Sequence, residues 1–273
     1  AEFGSQAELV SPLGLRLRKA LSKALVERSD AVDHQRKIRP ALAVNRRTDQ
    51  DADEIQEITP YAEEALRVTA ELLEDDPENA DLRYWRGRAL VRLGRHAEAE
   101  QQLEKGLQHA PEHPQLRELA ETLDSLHDVK SRGNAAYKEG RLSEAIQLYT
   151  MGLDQDPTCV DTRSCATLHF NRSAAYRKRG DFDQALEDAN MALVLHPKWT
   201  KALYRRGVLL LELGRYSEAL TELKVVQRAD PTFDDDLEDW LRRAHHWMSK
   251  PRGAHNYYSF MRLPMDAAPE EVK

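Results

Sequence analysis

The sequence predicts an all-α protein, a solenoid of stacked helical hairpins closed by a C-terminal capping helix. Three observations predict it. Prolines 77, 111, 157, 197 and 231 end similar phrases at spacings of 34, 46, 40 and 34 residues. A glycine stands 17 residues before four of them (Gly94, Gly140, Gly180, Gly214) and an alanine 12 before all five (Ala65, Ala99, Ala145, Ala185, Ala219). A period near 34 with fixed small residues is the mark of a repeat whose units bury their apolar faces only on one another. In each unit the glycine ends a first helix in a left-handed turn, the alanine sits where two helices cross, and the proline stops the second helix.

The elements follow in order. Ala1-Glu2-Phe3-Gly4-Ser5 reads as a cloning scar and is set aside. Residues 1–48 hold ten Lys/Arg against five Asp/Glu, and residues 49–81 one Arg against thirteen Asp/Glu, so 1–55 reads as a basic then acidic N-terminal segment. Within it, 13–28 is an amphipathic helix candidate with Leu13, Leu17, Ala20, Leu21, Ala24 and Leu25 on its apolar face. It is a candidate cap for the array, and a membrane-surface helix is the other reading.

Thr59-Pro60 opens a helix over 61–76, the second helix of a partial repeat; its partner, near 46–58, is too acidic to match well. With one full repeat this makes a first sub-array over 56–126. Leu116, Leu119, Leu123 and Leu126 recur at three to four residues with no Pro or Gly before Gly133, predicting one long rigid helix over about 113–139. The six extra residues before Pro197 lengthen a loop or add a turn to the helix carrying Asn171. Three repeats fill 127–231. Asp234-Asp235-Asp236 then opens a capping helix within 232–250, with Leu237, Trp240, Leu241, Ala244, Trp247 and Met248 on its apolar face. His245 and His246 are adjacent, point about 100° apart and make a poor metal pair.

Composition bounds the function. Charged residues are 32% and aromatics 7%, which suits a solvent-rich helical protein better than an enzyme with a large core. The expectations are no cofactor, no metal, no membrane span and no secretory signal. There is no nucleophile–base pair, metal-spaced ligand set or phosphate loop. The basic arm lacks the interleaved aromatics of a nucleic-acid binder. Cys159 and Cys165 read as reduced thiols of an intracellular protein.

The candidate site is a set of five residues. Lys130 and Asn134 lie four apart, as do Lys201 and Arg205, so each pair shares a helix face; Asn171 is on the first helix between them. Three cations and two amides with no carboxylate among them describe a receptor for a peptide with more than one carboxylate. Arg offers a planar fork, Lys a point charge, and the amides hydrogen bonds without charge.

These segments resemble tetratricopeptide repeats over roughly 61–249, with Gly87, Gly133 and Gly207 at the small first-helix site and Phe182 and Tyr216 at the inter-helix aromatic site. The resemblance implies a right-handed superhelical solenoid whose first helices line a concave groove. Lys130, Asn134, Asn171, Lys201 and Arg205 resemble, residue by residue, the dicarboxylate clamp of heat-shock co-chaperones. That clamp grips the C-terminal Glu-Glu-Val-Asp of the cytosolic seventy- and ninety-kilodalton heat-shock chaperones, which implies those tails as partners. Tyr137 and Ala174 are candidates for an apolar pocket under the valine. Two or three charge-assisted bonds of about 1.5–3 kcal/mol each, less the cost of ordering a peptide, imply micromolar affinity, about −8 kcal/mol. The helix over 80–93 offers Tyr84, Gly87 and Arg88 without the Lys-Asn pair, so the first sub-array lacks the clamp.

Residues 255–273 are similar to the opening of a J domain: Tyr257-Tyr258, Leu263-Pro264, Asp266-Ala267 and Glu270-Glu271-Val272-Lys273 match, while Arg262 replaces a usual Gly and Pro269 falls near the helix start. The J domain reads as truncated inside its first helix, and its His-Pro-Asp loop is absent from the sequence. The expectation is a cytoplasmic, non-enzymatic tetratricopeptide J-protein adaptor between two chaperones. The alternative is a J-protein whose repeats hold unfolded client segments.

Overall fold

Every regular element among the described residues is a helix. The computed structural model describes residues 19–28, 58–157, 159–233 and 236–250. Its helices are α1 (19–28), α2 (Ile58–Asp75), α3 (Ala80–Arg92), α4 (His96–His109), α5 (Pro114–Lys138), α6 (Leu142–Gln155), α7 (Thr162–Arg179), α8 (Phe182–Leu195), α9 (Thr200–Glu212), α10 (Tyr216–Ala229) and α11 (Leu237–Met248). None is long and apolar enough to cross a membrane. The 255–273 segment and the acidic 46–57 stretch lie outside the described residues.

The repeat punctuation has a direct structural cause. Gly94, Gly140, Gly180 and Gly214 have φ of 72°, 77°, 88° and 75°, the left-handed region that residues bearing a Cβ avoid. Each turn closes with a bond from the next amide to a carbonyl five residues back: Arg95 to Leu90, Arg141 to Ala136, Asp181 to Tyr176 and Arg215 to Leu210. The five repeat alanines are all 0% exposed. Opposite them, a Cβ on Gly133 would lie 2.5 Å from Tyr149, and one on Gly207 2.8 Å from Leu223, so paired helices approach too closely for any side chain there.

Contacts divide the chain into a first unit, residues 1–125 with 158–163, and a second, residues 126–157 with 164–273. The first unit's core joins Val26 of α1 to Ala65, Leu66, Tyr84, Trp85, Leu103, Leu116 and Leu123. Lys19 Nζ lies 3.3 Å from Asp76 Oδ2 at one end of α2, and Arg28 stacks 5.0 Å from the Tyr61 ring at the other. Thus α1 runs antiparallel along α2.

The face of α1 corrects the sequence expectation. Ala20, Leu21 and Ala24 are exposed; Ser22 and Val26 are buried. Ser22 is small and donates its hydroxyl to the Lys19 carbonyl at 2.8 Å, so it can be buried with its polar group satisfied. Burying that face also brings Lys19 to Asp76.

The six-residue insertion does two things. It adds a turn, giving α7 18 residues where α8 has 14 and α9 13. Its 159–163 part packs with the first unit, where Arg92 Nη1 donates to Thr162 Oγ1 at 2.6 Å and His96 sits 3.4 Å from the buried Asp161 carboxylate.

In the second unit, the N-terminal cluster gathers Leu126, Ala136, Ile146, Leu148, Tyr149 and Leu168. A larger one runs from Phe182 through Leu209 and Leu223 to Trp240. α11 closes it, burying Leu237, Trp240, Leu241 and Ala244. Met248, expected on that face, is 50% exposed. Trp247 stacks on Tyr216 (6.0 Å, 15° between planes) and takes the final packing place as the helix ends. Both cysteines are free thiols.

Candidate functional site

All five clamp candidates belong to the second unit, on the C-terminal half of α5, on α7 and on α9. Asn134 is the centre of the polar contacts. Its Oδ1 accepts from the Tyr149 hydroxyl at 2.8 Å and from Asn171 Nδ2 at 2.9 Å. With its oxygen held twice, the Asn134 amide turns its NH2 group away from Tyr149, leaving two donors for a ligand. The structure therefore joins Asn134 and Asn171 directly.

Arg205 is held from a different side. Its Nη1 donates to the Phe170 carbonyl at 2.8 Å, and its guanidinium carbon lies 3.8 Å from the centre of the Phe170 ring. Phe170 rests in turn on Trp199, with centroids 4.5 Å apart. Burial pushes the Arg205 guanidinium down to about 10; the Tyr137, Tyr204 and Tyr149 hydroxyls partly offset this and Arg177 adds to it. The same desolvation pushes the Tyr149 phenol up to about 12.

Lys130 lies one turn before Asn134 on α5, half-buried, and Lys201 one turn before Arg205 on α9, exposed. No contact links either lysine to the other three residues. Tyr137 and Ala174 are half-buried; Tyr137 packs against the N-terminal core of the unit, with Lys178 Nζ 5.8 Å from its ring.

Ion pairing separates these cations from three neighbouring arginines. Arg172 forks onto the buried Asp188 at 2.7 and 2.8 Å, Arg177 onto the buried Glu212 at 2.7–3.0 Å, and Arg206 pairs with Glu222. Among the described residues, Lys130, Lys201 and Arg205 have no carboxylate partner. No group of three His, Cys, Asp or Glu side chains among the described residues gathers as metal ligands would.

Three residues of this architecture were passed over in the sequence. Tyr149 stands eight residues before Pro157, where the other hairpins have Leu103, Ala189 and Leu223; its hydroxyl could have been noted there. Ser173 takes the small-residue place of Gly133 and Gly207, fully buried, and donates to the Ala185 carbonyl at 2.7 Å. Phe170 precedes Asn171 and supports Arg205, a role that nothing local in the sequence signals.

Profiles of the tetratricopeptide repeat match residues 62–123 and 164–232. DnaJ homolog subfamily C member 7 of Homo sapiens is 30% identical over 210 residues, which are 77% of this chain and 42% of that protein. Tetratricopeptide repeat protein 28 of Homo sapiens is 39% identical over 124 residues, 45% of this chain and 5% of that protein. The chain thus spans less than half the length of these curated relatives. The crystal structure of the P58(IPK) TPR domain is similar in fold, with a TM-score of 0.56 at 15% identity over 72% of this chain and 56% of that one. Repeat geometry and profile matches agree: residues 62–123 and 164–232 are tetratricopeptide repeats, and the chain is similar over 210 residues to DnaJ homolog subfamily C member 7.

Proposed function

We propose that the second unit is a receptor for a peptide ending in a free dicarboxylate, the Glu-Glu-Val-Asp tail of cytosolic seventy- and ninety-kilodalton heat-shock chaperones. The observation that carries this reading is the pairing pattern. Arg172, Arg177 and Arg206, which brace the unit, are matched to carboxylates, while Lys130, Lys201 and Arg205 on its first helices are left with none among the described residues. The Arg205 guanidinium, held on Phe170, and the joined Asn134 and Asn171 amides stand on α9, α5 and α7 as donors without a carboxylate acceptor. Asn134 and Asn171 hold one carboxylate with Lys130, and Lys201 and Arg205 hold the other. Tyr137 and Ala174 floor the pocket for the apolar side chain between them. The chain acts by binding, in the cytoplasm, as the repeat-bearing part of a chaperone adaptor. The relationship to DnaJ homolog subfamily C member 7 supports adding a J domain after residue 254, so that one chain touches two chaperones.

Calorimetric titration with a peptide ending Glu-Glu-Val-Asp, beside its C-terminally amidated twin, tests this. Micromolar binding, about −8 kcal/mol, lost on amidation is the expected result. Equal binding of both peptides, or of neither, overturns it.

A further inference from the structure

A second surface, in the first unit, has no part in the clamp. Between α4 and α5 runs a groove of about 500 Å³. Its floor includes Leu107, Ala120 and Leu123, and its edges carry Glu100, Glu104 and Asp124.

The groove follows from how α5 is used. In the second unit each first helix is covered by its own second helix: Gly133 of α5 meets Tyr149 of α6, Ser173 of α7 bonds Ala185 of α8, and Gly207 of α9 meets Leu223 of α10. The 114–125 half of α5 belongs to the first unit, and α6 belongs to the second. Among the described residues, that half therefore has no second helix of its own within its unit. The groove lies against the face such a helix would cover, and its floor keeps the apolar character of a packing face: Leu107 and Ala120 are half-buried and Leu123 is 6% exposed.

The rim states what kind of helix would fit. The glutamates that open the second helices are paired locally: Glu98 with Arg95, Glu144 with Arg141, Glu218 with Arg215. Glu100, Glu104 and Asp124 are exposed, and among the described residues none has an ion pair or side-chain hydrogen bond. From Glu100 to Leu107 the groove follows α4 for about 10 Å, or two helical turns.

We propose that this groove docks an amphipathic helix of a partner protein, one with an apolar stripe at i, i+3/i+4 and i+7 and Lys or Arg along both flanks. The stripe replaces the missing second helix on the floor, and the flanking cations answer the three carboxylates. An acidic or neutral helix would leave those carboxylates facing like charge or apolar surface, which selects against it.

The test uses the whole chain and a labelled helical peptide of about 14 residues (roughly four turns), leucine on the stripe and lysine elsewhere, with a twin carrying glutamate for lysine. Saturable binding of the basic peptide and none of the acidic one is expected. Glu100→Lys/Glu104→Lys/Asp124→Lys, all at exposed positions, weakens it at least tenfold. Ala120→Trp, which fills the floor and leaves the charges, also weakens it at least tenfold, with helical circular dichroism unchanged. Arg205→Met leaves it unaltered. Absence of saturable binding, equal binding of the two peptides, or indifference to the charge reversal overturns the proposal.

Discussion

Arg205 holds a half-buried guanidinium against an aromatic ring and one carbonyl. Its depressed pKa, about 10, gives the sign of the effect on stability. Folding disfavours the cation, so its burial costs stability at every pH below about 10, and that cost is relieved only as pH rises above about 10 toward the higher unfolded value. At neutral pH the ring stack and the carbonyl hydrogen bond offset that cost, so Arg205→Met is expected to change unfolding free energy by less than about 1 kcal/mol. The same variant should weaken the acidic peptide at least tenfold, about 1.4 kcal/mol. Denaturant melts beside calorimetry check both halves, and a variant that unfolds would show Arg205 to be structural. Tyr149→Phe removes the hydroxyl that fixes the Asn134 oxygen but keeps the ring against Gly133. Its expected cost is about 1 kcal/mol in peptide affinity, near fivefold, with little change in melting temperature. The clamp candidates Lys130, Asn134, Lys201 and Arg205 stood out in the sequence because each pair lies within one helix, and Asn171 only through the repeat register. Tyr149 did not, because its partner is fifteen residues away across a hairpin and only packing brings them together.

At the scale of the element, α7 and α9 are tied by the Arg177 fork on Glu212, a carboxylate 1% exposed, with the Arg177 guanidinium also 5.7 Å from the Trp240 ring of α11. One side chain thus links α7 and α9 to the cap. Arg177→Met takes the fork from a buried charge and is expected to cost about 3 kcal/mol or more. That is several degrees of melting temperature, where Arg205→Met costs almost none; similar losses for the two would erase the distinction between brace and receptor. The helices themselves were legible because Gly and Pro stop them by backbone geometry, which needs no tertiary context. The inward face of α1 was not. Counting apolar residues favours Leu21, whereas the helix buries Ser22 and Val26, since a small residue with a satisfied hydroxyl lets it approach α2. The turn added to α7 was one of two readings of the insertion, and the docking of 159–163 rests on Arg92, some seventy residues earlier.

At the scale of the whole molecule, the five clamp candidates all fall in one of the two units, with α5 running from one unit into the other. A ligand that binds only folded protein stabilises what it touches by RT ln(1 + [L]/Kd), about 2.7 kcal/mol at a hundredfold excess over Kd. If the acidic peptide sits on Lys130, Asn134, Asn171, Lys201 and Arg205, that stabilisation belongs to the second unit. Hydrogen exchange with and without peptide should then show slower amides on 126–138, α7 and α9, and unchanged rates over α2, α3 and α4. The basic helical peptide of the α4–α5 groove should give the converse pattern, with slowing confined to α4 and residues 114–125. Protection spread evenly over both units with either peptide would mean that they respond as one body, and that neither site is local. Protection of opposite halves would make the chain a two-sided adaptor, each unit reading a peptide of opposite charge.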